Sequence, residues 1–153
     1  MVSGFAKMIS THYQVWSAVA DWWPEEVSAE PQARSFLRHM VAQLRLDLEV
    51  GGIDMPPALS LQLATESAAA AARYGALYVL RGSTLGGTMI NRKLEDCTAL
   101  NGLSSFHFHA ACAALPGKEW PAFLRELNAS VQTEQEQAQA VAGAKAVFGL
   151  YLI

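Results

Sequence analysis

Apolar residues recur at helical spacing over the first part of the chain. Phe5, Met8, Ile9, Trp16, Val19, Ala20 and Trp23 fall on one stripe, with His12 among them, and the pattern predicts a helix over about Phe5 to Trp23. Pro24 ends it. A second stripe, Phe36, Leu37, Met40, Val41, Leu44 and Leu48, follows Pro31, which suits a first helical turn. Gly51 and Gly52 predict its stop, and GGIDMPPALS reads as a loop. A long helical region is then predicted from about Leu61 to Leu94, followed by a turn at Asn101-Gly102. A short helix over about Ser104 to Ala114, a turn at Pro116-Gly117 and a helix over about Glu119 to Leu127 come next. Thr133-Glu134-Gln135-Glu136 spells a capping box, which opens a last helix through Ala138, Val141, Ala142, Val147, Phe148 and Tyr151. With no repeat or linker in view, residues 1–153 read as one all-α domain, a helical bundle.

Composition agrees and narrows the field. The chain is 52% hydrophobic and 16% charged, which excludes a disordered chain, and β-branched residues are sparse and scattered. Its net charge of −3, with lysine and arginine dispersed, gives no electrostatic case for nucleic acid. The alanine tract from Ala68 to Ala72 is broken by Arg73, so no membrane span is expected. Lys7, His12 and Gln14 interrupt the early apolar residues, against a signal peptide. Cys97 and Cys112 are too few for a disulfide scaffold, so the expected setting is the reducing cytoplasm.

One stretch resists this account. YVLRGSTLGG, residues 78 to 87, places three glycines inside a helix, where each costs roughly 0.5–1 kcal/mol relative to alanine. Gly82 and Gly86 stand four apart on one face, with Gly87 beside them. Two readings follow. Either another helix comes close, or a flat ligand lies against the bare backbone. Spacing alone leaves both open.

GALYVLRGSTLGGTMI, residues 75 to 90, resembles the distal-helix signature of bacterial haem oxygenases, above all the phytochrome-associated type. GKEWPAFLRELN (117–128) and AQAVAGAKAVFGLY (138–151) resemble the family's closing helices, and FAKMISTHYQVWSAV (5–19) is similar to its second helix. The resemblance implies an all-α fold with haem as ligand and substrate, cleaved with dioxygen and an electron donor to biliverdin, carbon monoxide and iron. It implies that Gly82, Ser83, Gly86 and Gly87 line the distal side, with Ser83 in the catalytic position where animal enzymes carry an aspartate. Arg81 departs from the family's usual glutamate. The family's iron ligand is a histidine on the helix before the segment matched by Phe5 to Val19. The resemblance thus implies a chain that starts at the second helix and lacks the proximal one.

His12 is the histidine nearest the vacant position and the candidate iron ligand, set against the plainer role of a core histidine. His107, His109 and Cys112 spell HFHAAC, but on a helix the two histidines point about 200° apart, which opposes a shared metal site. His39 reads as surface, and Arg92 and Lys93 either meet haem propionates or face solvent. No Glu-x-x-His pair supports a di-iron bundle. Loss of a covering helix would expose apolar surface around Trp16, Trp22, Trp23 and Trp120, which a homodimer could hide. The rival reading is a non-catalytic remnant of the fold that binds a bilin, another tetrapyrrole or a protein partner.

Overall fold

The structure, a computed structural model, describes residues 2–24, 31–63, 70–95 and 106–153. Among these residues there are six helices: α1 (Val2–Trp22), α2 (Pro31–Val50), α3 (Ala70–Glu95), α4 (His107–Ala114), α5 (Glu119–Ser130) and α6 (Glu134–Tyr151). Among the described residues there is no strand. The predicted apolar stripes become the core, in which Ile9, Trp16, Val19, Leu37, Met40, Leu44 and Val147 are fully buried. Burying such side chains is the main drive to fold, at about 25 cal/mol per Å² of apolar surface.

The most extensive packing is α3 against α6. Two glycines outside the GxxxGG motif make it possible. A Cβ on Gly75 would collide with the Ala140 carbonyl oxygen, and one on Gly143 with the Ala72 carbonyl oxygen. Helical side chains lean towards the N-terminus, so these reciprocal offsets belong to two helices running in the same direction. Eight residues beyond Gly75 and Gly143 stand Ser83 and Tyr151, about 12 Å further along, and these two side chains also interact.

Helix ends follow local chemistry where the sequence carries it. At the end of α2, Gly52 takes φ 64°, its N–H bonds Glu49 O at 3.2 Å, and Ile53 N–H bonds Leu48 O at 2.9 Å. That is a Schellman stop. The predicted capping box is present: Glu136 N–H donates to Thr133 Oγ1 at 3.0 Å, and Thr133 N–H to Glu136 Oε1 at 3.0 Å.

Elsewhere tertiary contacts overrule the pattern. Residues 61–63 are not helical as predicted. They continue an extended segment on which Leu59 and Leu61 pack against the core, and Gln14 Nε2 donates to Pro57 O at 2.8 Å. α4 begins at His107 with no cap from Phe106. Asp47 of α2 caps it instead, accepting from His107 N–H at 2.7 Å and Phe108 N–H at 2.8 Å. The turn expected at Asn101-Gly102 lies outside the described residues, as does Cys97. The expected exposure around the tryptophans is corrected: Trp16 and Trp23 are buried, and Trp22 and Trp120 pack on the core.

These contacts separate the glycines in a measurable way. Gly75→Ala and Gly143→Ala should each destabilise the protein by about 3 kcal/mol, the upper range for overpacking. Gly86→Ala, whose Cβ meets nothing within 4 Å, should stabilise it by about 0.5–1 kcal/mol. Urea unfolding reads both signs, and equal midpoints for the three variants would show that α3 and α6 do not touch as described.

Candidate functional site

α3 runs unbroken through the glycine motif. Hydroxyls fold back onto it: Ser83 Oγ donates to Leu80 O at 2.7 Å, Thr84 Oγ1 to Arg81 O at 2.6 Å, and Thr88 Oγ1 to Thr84 O at 3.1 Å. The motif has two sides. Gly87 is buried against α4, where an added Cβ would lie 2.7 Å from Cys112 Sγ. Among the described residues Gly82 would meet only Trp120, at an ordinary 3.7 Å, and Gly86 would meet nothing within 4 Å. Close helix packing therefore accounts for Gly87 and leaves Gly82 and Gly86 unexplained. The backbone they bare is flanked by Tyr78, Leu85 and Met89, which are 45%, 49% and 64% exposed. An exposed apolar face results.

Arg81, opposite in charge to the family's glutamate, points away from this face. Its guanidinium sits 4.3 Å from the Phe36 ring centroid and 5.5 Å from that of Phe123, and pairs with Glu119 at 3.6 Å. Burial lowers its pKa, while Glu119 and Glu126 oppose that shift. A cleft of about 250 Å³ lies alongside, lined by Arg81, Leu85, Thr88, Cys112 and Trp120 among others. It falls below the roughly 300–1,000 Å³ of typical small-molecule sites. Arg92 and Lys93 stand exposed in the last turn of α3.

Behind the glycine helix lies a polar cluster in an apolar core. His12 Nδ1 and the Tyr151 hydroxyl are 2.9 Å apart. The His12 ring packs 4.9 Å from Phe108 and 6.2 Å from His109, centroid to centroid. His109 is fully buried, and neither ring nitrogen has a hydrogen-bond partner in the protein. Burial depresses His12 to about 4, and burial with some repulsion from His12 depresses His109 to about 4. Burial pushes the Tyr151 hydroxyl above the phenol range, which the Trp16 indole and Ser83 hydroxyl nearby oppose. The Cys112 thiol, pushed up to about 12 by burial, stays protonated. All four groups are therefore neutral at pH 7.

The residues singled out in the sequence thus divide. Gly82 and Gly86 face outwards, Gly87 faces α4, and Ser83 reaches Tyr151, through which it connects to His12. His39 is exposed. Among the described residues no three histidine, cysteine or carboxylate side chains converge as metal ligands. Sequence reasoning missed Tyr151 and His109 as partners of His12. His109 shares a helix face with Cys112, three residues on, but its neighbour across the core could not be read from spacing.

Six helices among the described residues, with the glycine motif on α3, make an all-α, haem-oxygenase-like bundle. The chain belongs to the haem oxygenase family. It is 30% identical, over 148 residues, to a protein named "Heme oxygenase" from Xanthomonas campestris pv. campestris (strain 8004), covering 94% of this chain and 84% of that protein. No family model and no solved structure matches the chain. No described helix is long and apolar enough to cross a membrane.

The histidine pair makes stability depend on pH. Both folded pKa values lie below the ordinary 6.5, so the unfolded chain binds protons that the folded chain refuses. Stability is complete above about pH 6.5 and falls as pH drops towards 4, by up to roughly 3 kcal/mol per ring. Urea unfolding at pH 7 and pH 5 should show the loss, and His109→Leu should remove part of it. A flat profile over that range would mean the rings are protonated as readily in the fold as out of it.

Proposed function

We propose that this chain binds haem on the open glycine face of α3 and takes part in its oxidative cleavage to biliverdin. The observation that carries the reading is the pair Gly82 and Gly86, glycines that cost helix stability and that no contact among the described residues requires. Exposed Leu85 and Met89 extend that face with apolar surface, suited to a macrocycle. Membership of the haem oxygenase family supports the same ligand. Bound haem supplies the redox chemistry, opening to biliverdin with release of carbon monoxide and iron when dioxygen and an electron donor are present.

The protein's own groups take the following parts. Gly82 and Gly86 let the ring approach the backbone, and Ser83, which donates to Leu80 O and reaches Tyr151, is the proposed distal polar group on the interior side of α3, beside His12. Arg92 and Lys93 offer cations to propionates. His12, the proposed iron ligand, lies in the interior cluster behind α3 and not on the glycine face, so its ligation requires the haem to enter that cluster. With Nδ1–H donating to Tyr151, its Nε2 keeps the lone pair, and its low pKa keeps the ring neutral. The phytochrome-associated type, a cytoplasmic setting and a bilin product held before release belong to the same reading. So does a homodimer, which light scattering at micromolar concentration would report; a strict monomer would count against it.

Titration with haemin tests the binding. The wild type should saturate at a defined stoichiometry, and Gly86→Leu should bind at least about tenfold more weakly, a loss of about 1.4 kcal/mol, with unchanged helicity. His12→Ala should alter the absorption spectrum of the haem complex and abolish biliverdin formation with reductant and dioxygen. Equal haemin affinity in the wild type and Gly86→Leu would remove the glycine face from the site, and an unaltered spectrum would remove His12.

A further inference from the structure

Arginines that look dispersed in the sequence align in the fold. Arg34, Arg38 and Arg45 lie within about 40° of one another around α2, at intervals of about 6 and 10 Å along its axis. They border a groove of about 420 Å³ between α1 and α2, completed by Tyr13, Ser17 and Asp21 among others. Three guanidiniums and one carboxylate line it, with Glu49 acting on Arg45 one turn along α2, which leaves an excess of positive charge on a chain whose net charge is −3. Arg45 Nη2 donates to the Tyr13 hydroxyl at 3.0 Å, which holds that hydroxyl at the groove. Arg34 already has a partner within the fold. Arg38 is exposed, and its helix neighbours at three- and four-residue spacing are Arg34, Ser35, Val41 and Ala42, none of them acidic.

This arrangement has a cost. Like charges four apart on a helix, as at Arg34 and Arg38, destabilise it by about 0.2–0.5 kcal/mol. The repulsion is relieved when oxyanions occupy the groove, because guanidinium forks are the donors that oxyanions take. The volume falls within the usual range for small organic ligands, roughly 300–1,000 Å³, and exceeds what one inorganic anion fills.

The geometry points to a binding site for a small organic polyanion, carrying two or more carboxylate or phosphate groups, in the groove between α1 and α2. Arg38 and Arg45 are its anchors. The site lies on a different helix pair from the glycine face of α3 and stands whether or not haem binds there.

Calorimetric titration of the intact protein with citrate, and separately with inorganic pyrophosphate, tests this at low and at physiological salt. Saturable one-to-one binding of either probe is expected, weakening with salt. The better probe tells whether carboxylate or phosphate groups are preferred. Arg38→Gln should weaken binding by about tenfold with its unfolding midpoint slightly raised, whereas Arg125→Gln, an exposed arginine on α5, should change binding less than about twofold. The proposal is overturned if neither probe saturates, or if both variants lose affinity equally, since the protein's overall charge would then be all that is sensed.

Discussion

The structure turns on a contact between two backbones. Where α3 meets α6, Gly75 and Gly143 each face a carbonyl of the other helix, with no room for a methyl group. So close an approach leaves α3 almost no freedom to rotate about its axis. Its rotation decides the rest: Gly87 and Leu80 turn inwards, Arg81 turns to Phe36, Phe123 and Glu119, and Gly82 and Gly86 are left on the outside. The same register brings Tyr151 at the end of α6 level with Ser83, and within reach of His12 on α1.

Glycine serves four physical purposes here. Gly52 supplies a left-handed backbone for a helix stop. Gly75 and Gly143 admit a neighbouring main chain, Gly87 admits a sulfur atom, and Gly82 and Gly86 admit nothing that the described residues provide. What separates these uses is the object standing opposite each residue. Spacing along the sequence cannot report that object, which is why GxxxGG drew attention while the tighter pair at Gly75 and Gly143 passed unnoticed.

Much of the fold was nevertheless legible. The apolar stripes, the Gly51-Gly52 stop and the Thr133–Glu136 capping box are local signals, and each acts within a turn or two of its own residue. The likeness of residues 75 to 90 to the distal helix of haem oxygenases led to the family that the Xanthomonas relative supports. What stayed hidden depends on distant residues. Asp47 caps a helix sixty positions away, and without it α4 has no N-terminal signal. The helical reading of residues 61–63 failed because a segment tied down by Gln14 and by core contacts follows those contacts, not its own propensity. The interior cluster of His12, His109 and Tyr151 joins three helices, and the arginine row on α2 becomes visible only once the helix is wound.

The parallel pairing of α3 and α6 also bears on how the chain reaches this state. Gly75 and Gly143 are 68 residues apart, and helices that run in the same direction cannot be joined by a short hairpin turn. This backbone contact therefore closes a long loop, with α4 and α5 inside it. Closing such a loop costs entropy before any packing rewards it, and contacts of this span slow folding. α1 with α2, neighbours in sequence, are expected to pair early and the α3–α6 seam late. If so, Gly143→Ala would speed unfolding while hardly changing the refolding rate. Until the seam closes, the small-residue faces of α3 and α6 stand open, so the interval before it closes is when a freshly made chain is most exposed to aggregation.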